Sequence, residues 1–215
     1  MASQQTEENP KKKHFSMLRS YTIADLFTLG NAACGTGAMF VCLEYLSRNN
    51  QKHLLWWAFV LLVFAAVFDI LDGYVARRTK KSSTLGADLD SLADIVSFGV
   101  APAVIGYTLG MRENWDIIIL IYFVVCGISR LARFNVTLED MTGAAGKVKY
   151  YEGTPIPTSL FVVGILAIAF WLNQTGPDLW WGTVQLPIWK LHPLTLLYAL
   201  SGSAMISSSL KIPKP

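Results

Sequence analysis

The sequence predicts an all-α integral membrane protein with six transmembrane helices, and three observations support this fold class. Of the 215 residues, 53% are hydrophobic and only 15% are charged, whereas soluble domains carry about 25% charged residues. The mean hydropathy is +0.39. Six uncharged apolar stretches follow one another, and several approach the ~20 residues that span a bilayer as a helix. These features exclude a soluble enzyme, a disordered chain and a secreted disulfide scaffold.

The six apolar stretches define the predicted helices in chain order. They cover residues 26–43, 54–68, 95–111, 117–129, 153–177 and 191–210. Residues 1–15 are polar and basic, and we expect them to form a flexible tail ahead of a single transmembrane domain, residues 16–215. The first helix is rich in small residues between Gly30 and Gly37, which favour close helix packing.

The positions of the basic residues predict how the chain is oriented in the membrane. Lysines and arginines cluster at residues 11–13, 77–81 and 147–149 and after the sixth stretch, while the other connections are poorer in them. The positive-inside rule therefore places these clusters and both termini in the cytoplasm. The net charge of +3 gives little electrostatic support for a nucleic-acid partner.

Acidic residues at the ends of the second and third helices are the strongest candidates for a functional site. Asp69 and Asp72 share one helical face, and Asp90 and Asp94 share another, because side chains three or four positions apart lie together. If the two helices pack antiparallel, four carboxylates surround one point near the cytoplasmic interface. Asp88 lies off the second face, and we expect it to be solvated.

Converging carboxylates repel one another unless something neutralises them. Hard divalent cations accept oxygen ligands, and no His or Cys joins the set, so Mg²⁺ or Mn²⁺ is favoured over Zn²⁺. Two alternatives remain open on spacing alone. The acids could be ion-paired with Arg77, Arg78 or Lys80, or they could line a proton or cation pathway, as in a divalent-cation transporter.

The acids belong to a longer pattern that resembles a known signature. The pattern is Asp69-x-x-Asp72-Gly73-x-x-Ala76-Arg77, then eight residues, then Gly86-x-x-x-Asp90-x-x-x-Asp94. At all eight positions it is similar to the signature of the CDP-alcohol phosphotransferase family. That resemblance implies six transmembrane helices, usually a homodimer, and transfer of a phosphatidyl or similar group from a CDP-linked donor to an alcohol, with release of CMP.

The resemblance also implies roles for the matching residues. Asp69, Asp72, Asp90 and Asp94 would hold two divalent cations, Mg²⁺ or Mn²⁺, and Asp94 would also be the general base. Gly73, Ala76, Arg77 and Gly86 would line the CDP-donor site. Asn31, an amide in the first helix, contacts either the donor or a neighbouring helix.

Two arginines at the end of the fourth helix are candidates for binding the acceptor alcohol. Arg130 and Arg133 are three residues apart, with Phe134 beside them, and a guanidinium binds a carboxylate through two parallel hydrogen bonds. Alternatively, both arginines extend toward lipid headgroups. With the segments around Asp25, Asn31 and residues 149–158, they resemble the membrane-embedded, fungal-type phosphatidylserine synthases.

That subfamily resemblance implies the substrates and the compartment. The donor would be CDP-diacylglycerol and the acceptor L-serine, bound by Arg130, Arg133 and Phe134. The active site would face the cytoplasm, in the endoplasmic reticulum of a eukaryote or otherwise in the cytoplasmic membrane. The alternative acceptors are inositol, glycerol phosphate or another alcohol.

Overall fold

The computed structural model describes residues 22–48, 51–79, 84–143, 150–207 and 211–213, so the predicted tail, residues 1–15, lies outside it. This part of the chain is mostly helical, in agreement with the predicted fold class. Its α-helices are α1 (Ile23–Ser47), α2 (Lys52–Thr79), α3 (Thr84–Asp94), α4 (Ala101–Leu109), α5 (Asn114–Gly143), α6 (Ser159–Trp171) and α7 (Leu196–Ile206). Short strands form two antiparallel pairs: β1 (Tyr150–Glu152) with β4 (Lys211–Pro213), and β2 (Val184–Gln185) with β3 (Lys190–Leu191).

Four helical segments of the described chain are long and apolar enough to cross a membrane. They are Ile23–Ser47, Lys52–Thr79, Leu85–Leu109 and Asn114–Val136. The last two predicted helices are shorter than expected, Ile156–Trp171 and Pro193–Ile206. One is limited by a 3-10 turn that follows Pro155 and by left-handed backbone at Asn173 (φ 61°), and the other begins at a proline.

The third long segment is not a uniform α-helix. Between α3 and α4, residues Ile95–Val100 form a π-helical turn directly after Asp94. Its Ser97 is fully buried and donates a hydrogen bond to the backbone carbonyl of Asn31 in α1 (2.9 Å). Such turns are rare and occur often at functional sites.

Helix α1 lies between α2 and α3. It packs along α2 and also against α3, the π-helical turn and α4, whereas α2 and α3 make few backbone contacts with each other. Small residues permit this approach, because a methyl group on Gly35 would collide with the Ser97 side chain. The backbones of the second and third helices therefore stay apart beside α1, while the side chains of Asp69, Asp72 and Asp90 meet between them.

The opposite end of the bundle is joined by a buried polar network around Asp116 in α5. Its carboxylate accepts hydrogen bonds from the backbone N–H of Glu113 (3.1 Å) and from the Thr195 hydroxyl (2.9 Å). It also accepts from His192, which precedes α7. Nearby, the buried Tyr198 donates to the carbonyl of Pro102 (2.6 Å). These bonds connect α5, α7 and α4 far from the signature acids.

Candidate active site

The four signature aspartates converge at one end of the bundle. One carboxylate oxygen from each of Asp69, Asp72 and Asp90 lies within 4.8 Å of the other two. Asp94 is 8% exposed and interacts electrostatically with all three. Asp88 is exposed and does not belong to this group. The structure thus places the acids of the two predicted faces together and Asp88 apart from them, and their role in metal binding stays a prediction.

Helix α1 contributes two polar side chains to this cluster. Thr28 donates a hydrogen bond from its hydroxyl to Asp72 Oδ2 (2.8 Å). One turn further along, Asn31 donates from Nδ2 to Asp94 Oδ1 (3.4 Å). Thr28 and Asn31 are both buried, at 4% and 0% exposure. Carboxylates from two different helices thus share α1 as their hydrogen-bonding partner.

The donor set fits divalent cations of the Mg²⁺ or Mn²⁺ type. All candidate ligand atoms in the cluster are carboxylate oxygens, which hard cations prefer. Asp90 Oδ1 is buried and has no hydrogen-bond partner in the described structure. Neither Arg77 nor Arg78 forms an ion pair with these acids, and Arg78 instead donates to the Tyr74 hydroxyl (2.8 Å). Lys80, the third candidate for such a pair, lies outside the described residues.

A cleft of about 200 Å³ opens beside the acids and is bordered by small residues of the signature. Gly73, Ala76 and Gly86 line it together with Asp72 and Asp90. Their lack of bulk leaves room for a ligand to approach the helix backbone. Thr22, Ala24, Asp25, Thr28 and Ala87 complete the lining.

Two residues predicted for the donor site, Arg77 and Asn31, do not line this cleft. A methyl group on Gly73 would be 3.4 Å from Arg77 Nη1, so the guanidinium of Arg77 lies over that glycine. Asn31 is not part of the lining and contacts Asp94 instead. Its contact with the donor stays a prediction.

The predicted acceptor residues lie at the same end of the molecule, on α5. Arg130 is half-buried and close enough to Asp94 for an electrostatic interaction. Its guanidinium carbon is 5.4 Å from the centre of the Phe134 ring, a cation–π contact. Arg133 is exposed. The structure thus brings Arg130 and Phe134 together beside the acidic cluster and leaves Arg133 further outward.

The geometry and the signature agree with a known protein family. The model of the CDP-alcohol phosphatidyltransferase family matches residues 21–195. The chain belongs to the CDP-alcohol phosphatidyltransferase family. Members of this family generally depend on divalent metal ions, in agreement with the oxygen-only cluster.

Curated relatives within the family share much of the sequence. A CDP-diacylglycerol–serine O-phosphatidyltransferase of Saccharomyces cerevisiae is 41% identical over 94% of this chain and 74% of its own length. An enzyme of the same name from Mycobacterium leprae is 40% identical over 70% of this chain and 50% of its own length. An archaetidylserine synthase of Methanothermobacter thermautotrophicus is 39% identical over 66% of this chain and 55% of its own length.

Sequence reasoning missed the contribution of Thr28. A threonine in an apolar helix is unremarkable, because its hydroxyl usually bonds a carbonyl of its own helix. The available signal was its position three residues before Asn31, which places two polar side chains on one face of an otherwise apolar span. Asp25 was also unassigned, and it both caps α1 with Thr22 and borders the cleft.

Proposed function

We propose that this chain is a CDP-diacylglycerol–serine O-phosphatidyltransferase. It would transfer the phosphatidyl group from CDP-diacylglycerol to the hydroxyl of L-serine and release CMP. The observation that carries the proposal is the convergence of the signature aspartates beside a cleft lined by the signature's small residues. The names of the relatives from Saccharomyces cerevisiae and Mycobacterium leprae include serine as the acceptor, which supports the choice of alcohol.

Each signature residue has a role in this proposal. Asp69, Asp72, Asp90 and Asp94 would hold two divalent cations, which neutralise the diphosphate and stabilise the oxygen that leaves with CMP. Gly73, Ala76 and Gly86 leave space for the CDP group, and Arg77 would contribute a positive charge at its edge. The acyl chains of the donor would remain in the surrounding lipid.

The transfer would proceed in one displacement. The serine hydroxyl oxygen attacks the phosphorus that carries the lipid, and the bond from that phosphorus to the CMP oxygen breaks. Asp94 accepts the hydroxyl proton as the new bond forms. A positioned base contributes typically 10²–10⁴-fold to such a step.

Arg130 supports serine as the acceptor. Its half-buried guanidinium lies near Asp94, so a carboxylate bound there would bring the hydroxyl of a small amino acid toward the base. Phe134 would hold the guanidinium in place through their cation–π contact. Arg133 would add a second donor from the neighbouring position. Inositol has no carboxylate to engage this pair.

The finer topology and assembly are also part of the proposal. The two shorter apolar helices would complete six spans, and the acidic end would face the cytoplasm, as the basic residues near it suggest. The enzyme would be a homodimer in the endoplasmic reticulum, or in the cytoplasmic membrane of a prokaryote. No nucleic acid takes part.

A direct assay tests the reaction and the acceptor together. Purified protein is incubated with CDP-diacylglycerol, Mn²⁺ and, separately, serine, inositol or glycerol phosphate, and CMP and the lipid product are measured. We expect CMP release that depends on serine. CMP release with inositol or glycerol phosphate alone would contradict the acceptor, and no CMP release with any alcohol would favour the cation-transporter alternative.

A further inference from the structure

Two of the signature acids, Asp72 and Asp94, form hydrogen bonds with α1, a helix outside the signature. Asp72 belongs to α2 and Asp94 to α3, and the backbones of these two helices make few contacts with each other. Their carboxylates repel one another, and the few backbone contacts between the two helices do little to oppose this repulsion. Helix α1, which packs against both, is in the position to set it.

The contact from α1 to α2 is a buried, charge-assisted hydrogen bond. The Thr28 hydroxyl has one proton and two acceptors in reach, Asp72 Oδ2 at 2.8 Å and the carbonyl of Ala24 at 3.2 Å. The shorter contact is to the carboxylate, and hydrogen bonds to ionised acceptors are about twice as strong as neutral ones. The Thr28 hydroxyl is therefore directed to Asp72 Oδ2.

The contact from α1 to α3 is made one turn later. Asn31 Nδ2 donates to Asp94 Oδ1, which also determines the orientation of the amide, because the reverse orientation would set two acceptors against each other. The backbone carbonyl of Asn31 accepts from Ser97, three residues after Asp94. Asn31 is thus joined to α3 through its side chain and to the π-helical turn through its backbone carbonyl.

We propose that Thr28 and Asn31 are positioning residues that hold Asp72 and Asp94 in the orientation required to bind divalent cations. This inference rests on the proposed metal-dependent transferase function and adds two residues of α1 to it. Partners of ligating carboxylates typically change metal affinity by about 10- to 100-fold when they are removed. Asn31 then acts through Asp94, which corresponds to the neighbouring-helix contact of the sequence analysis and not to direct contact with the donor.

The test measures Mn²⁺ binding to the purified full chain in detergent without any substrate, by electron paramagnetic resonance of the free ion. Thr28→Val and Asn31→Leu remove the donors with little change of volume, and we expect each to weaken Mn²⁺ binding about 10-fold or more. Thr28→Ser keeps the hydroxyl and should bind Mn²⁺ as the parent does. If Thr28→Val does not yield monodisperse protein, Thr28→Ala takes its place in the same comparison.

A matched control is available at the far end of the bundle. Thr108 is 4% exposed and donates to the carbonyl of Val104 in its own helix (2.7 Å), without a carboxylate partner. Thr108→Val should leave Mn²⁺ binding unchanged. Parent-like Mn²⁺ affinity in Thr28→Val and Asn31→Leu would overturn the proposal, and so would an equal loss in Thr108→Val.

The same preparation separates this inference from the proposed function. Because Mn²⁺ binding is read without substrate, a parent protein that binds Mn²⁺ but releases no CMP with serine would contradict the transferase assignment alone. The effect of the α1 variants on Mn²⁺ affinity would still confirm or overturn the positioning role. A parent that binds no Mn²⁺ would overturn the positioning role directly.

Discussion

Asp116 accepts two hydrogen bonds from His192, one from its backbone N–H at 2.9 Å and one from its ring Nδ1 at 2.6 Å. Both residues are buried, at 0% and 4% exposure. Together with the bonds from Glu113 and Thr195, this contact anchors the segment before α7 to the start of α5. This network is remote from the signature acids, so substitutions in it test the stability of the fold without changing the candidate active site.

We expect Asp116→Ala to destabilise the protein strongly, because it leaves several buried donors without an acceptor. Each buried donor left unpaired costs about 1–3 kcal/mol, so the loss of this acceptor corresponds to a fall in unfolding midpoint on the order of 10 °C. Asp116→Asn keeps one acceptor oxygen and should lose less. Thermal unfolding in detergent measures both, with exposed Asp178→Asn as the control. An unchanged midpoint in Asp116→Ala would show that the network contributes little.

The metal-binding role of the signature acids predicts a sharp contrast with their neighbour. Asp69→Asn, Asp72→Asn and Asp90→Asn each remove a negative charge from the cluster, and we expect transfer to fall about 100-fold or more. Asp94→Asn also removes the proposed base, a loss of about 10²–10⁴-fold. Asp88→Asn, at an exposed position of the same helix, should stay near the parent rate. Near-normal transfer in two of the four variants would contradict a two-cation site.

The arginine pair should affect the acceptor and leave the donor unaffected. Arg130→Lys and Arg133→Lys keep the charge but lose the two-pronged contact, and a lost charge-assisted hydrogen bond of about 1.5–3 kcal/mol raises the KM for serine roughly 10- to 150-fold. The half-buried Arg130 should show the larger effect. Steady-state kinetics with each substrate varied in turn measures this, and Arg112→Lys at the opposite end is the control. A change confined to CDP-diacylglycerol would assign the arginines to the donor.

The orientation of the chain can be tested with single cysteines. Thr79 ends α2 at the acidic end, and Asn114 begins α5 at the other end, and both are exposed. In a background in which Cys34, Cys42 and Cys126 are replaced by alanine, we expect Thr79→Cys to react with an impermeant reagent only from the cytoplasm. Asn114→Cys should react only from the other side. Labelling of both from one side would contradict the proposed topology.

The close approach of α1 to the π-helical turn predicts that Gly35 does not tolerate a side chain. A methyl group there would lie 2.8 Å from Ser97 Cα, and overpacking of this kind costs about 1–3 kcal/mol. We expect Gly35→Ala to lower both the unfolding midpoint and transfer, because α1 would move away from Asp94.

A second helical glycine supplies the control for Gly35. Gly164 in α6 has no atom within 4 Å of an added methyl group, so Gly164→Ala should be neutral or should stabilise the helix by about 0.5–1 kcal/mol. Equal behaviour of the two alanine variants would show that the packing at Gly35 is loose.

The sequence predicted which acids lie together, but not the helix that contacts them. The spacing of Asp69, Asp72, Asp90 and Asp94 is a local helical property, so the chain alone placed these acids on two converging faces and Asp88 off them, whereas their chemical role stays a prediction. Which helix lies between α2 and α3 depends on side-chain packing between distant segments, and no pattern in the chain encodes it directly. For that reason the part played by Thr28 became visible only in the structure.

Helix length and local geometry were predicted less accurately for similar reasons. The uncharged stretches at residues 153–177 and 191–210 predicted two long helices, but prolines and left-handed turns shorten them. The π-helical turn at Ile95–Val100 was also not predicted. Its sequence, Ile-Val-Ser-Phe-Gly-Val, is mostly apolar like the rest of the membrane-spanning segment, so composition does not distinguish it from α-helix.

The π-helical turn changes the angular register of the third long segment. A wider turn accommodates one extra residue, which rotates all later side chains by roughly 100° relative to an uninterrupted α-helix. The face that carries Gly86, Asp90 and Asp94 therefore stops at the turn, and α4 presents a different face to α1. Deleting one residue there would restore α-helical phase and turn either the acids or the apolar side chains of α4 away from their neighbours. The π-helical turn thus lets α3 direct its acidic face toward the cluster of aspartates while α4 directs its apolar face toward the hydrophobic core.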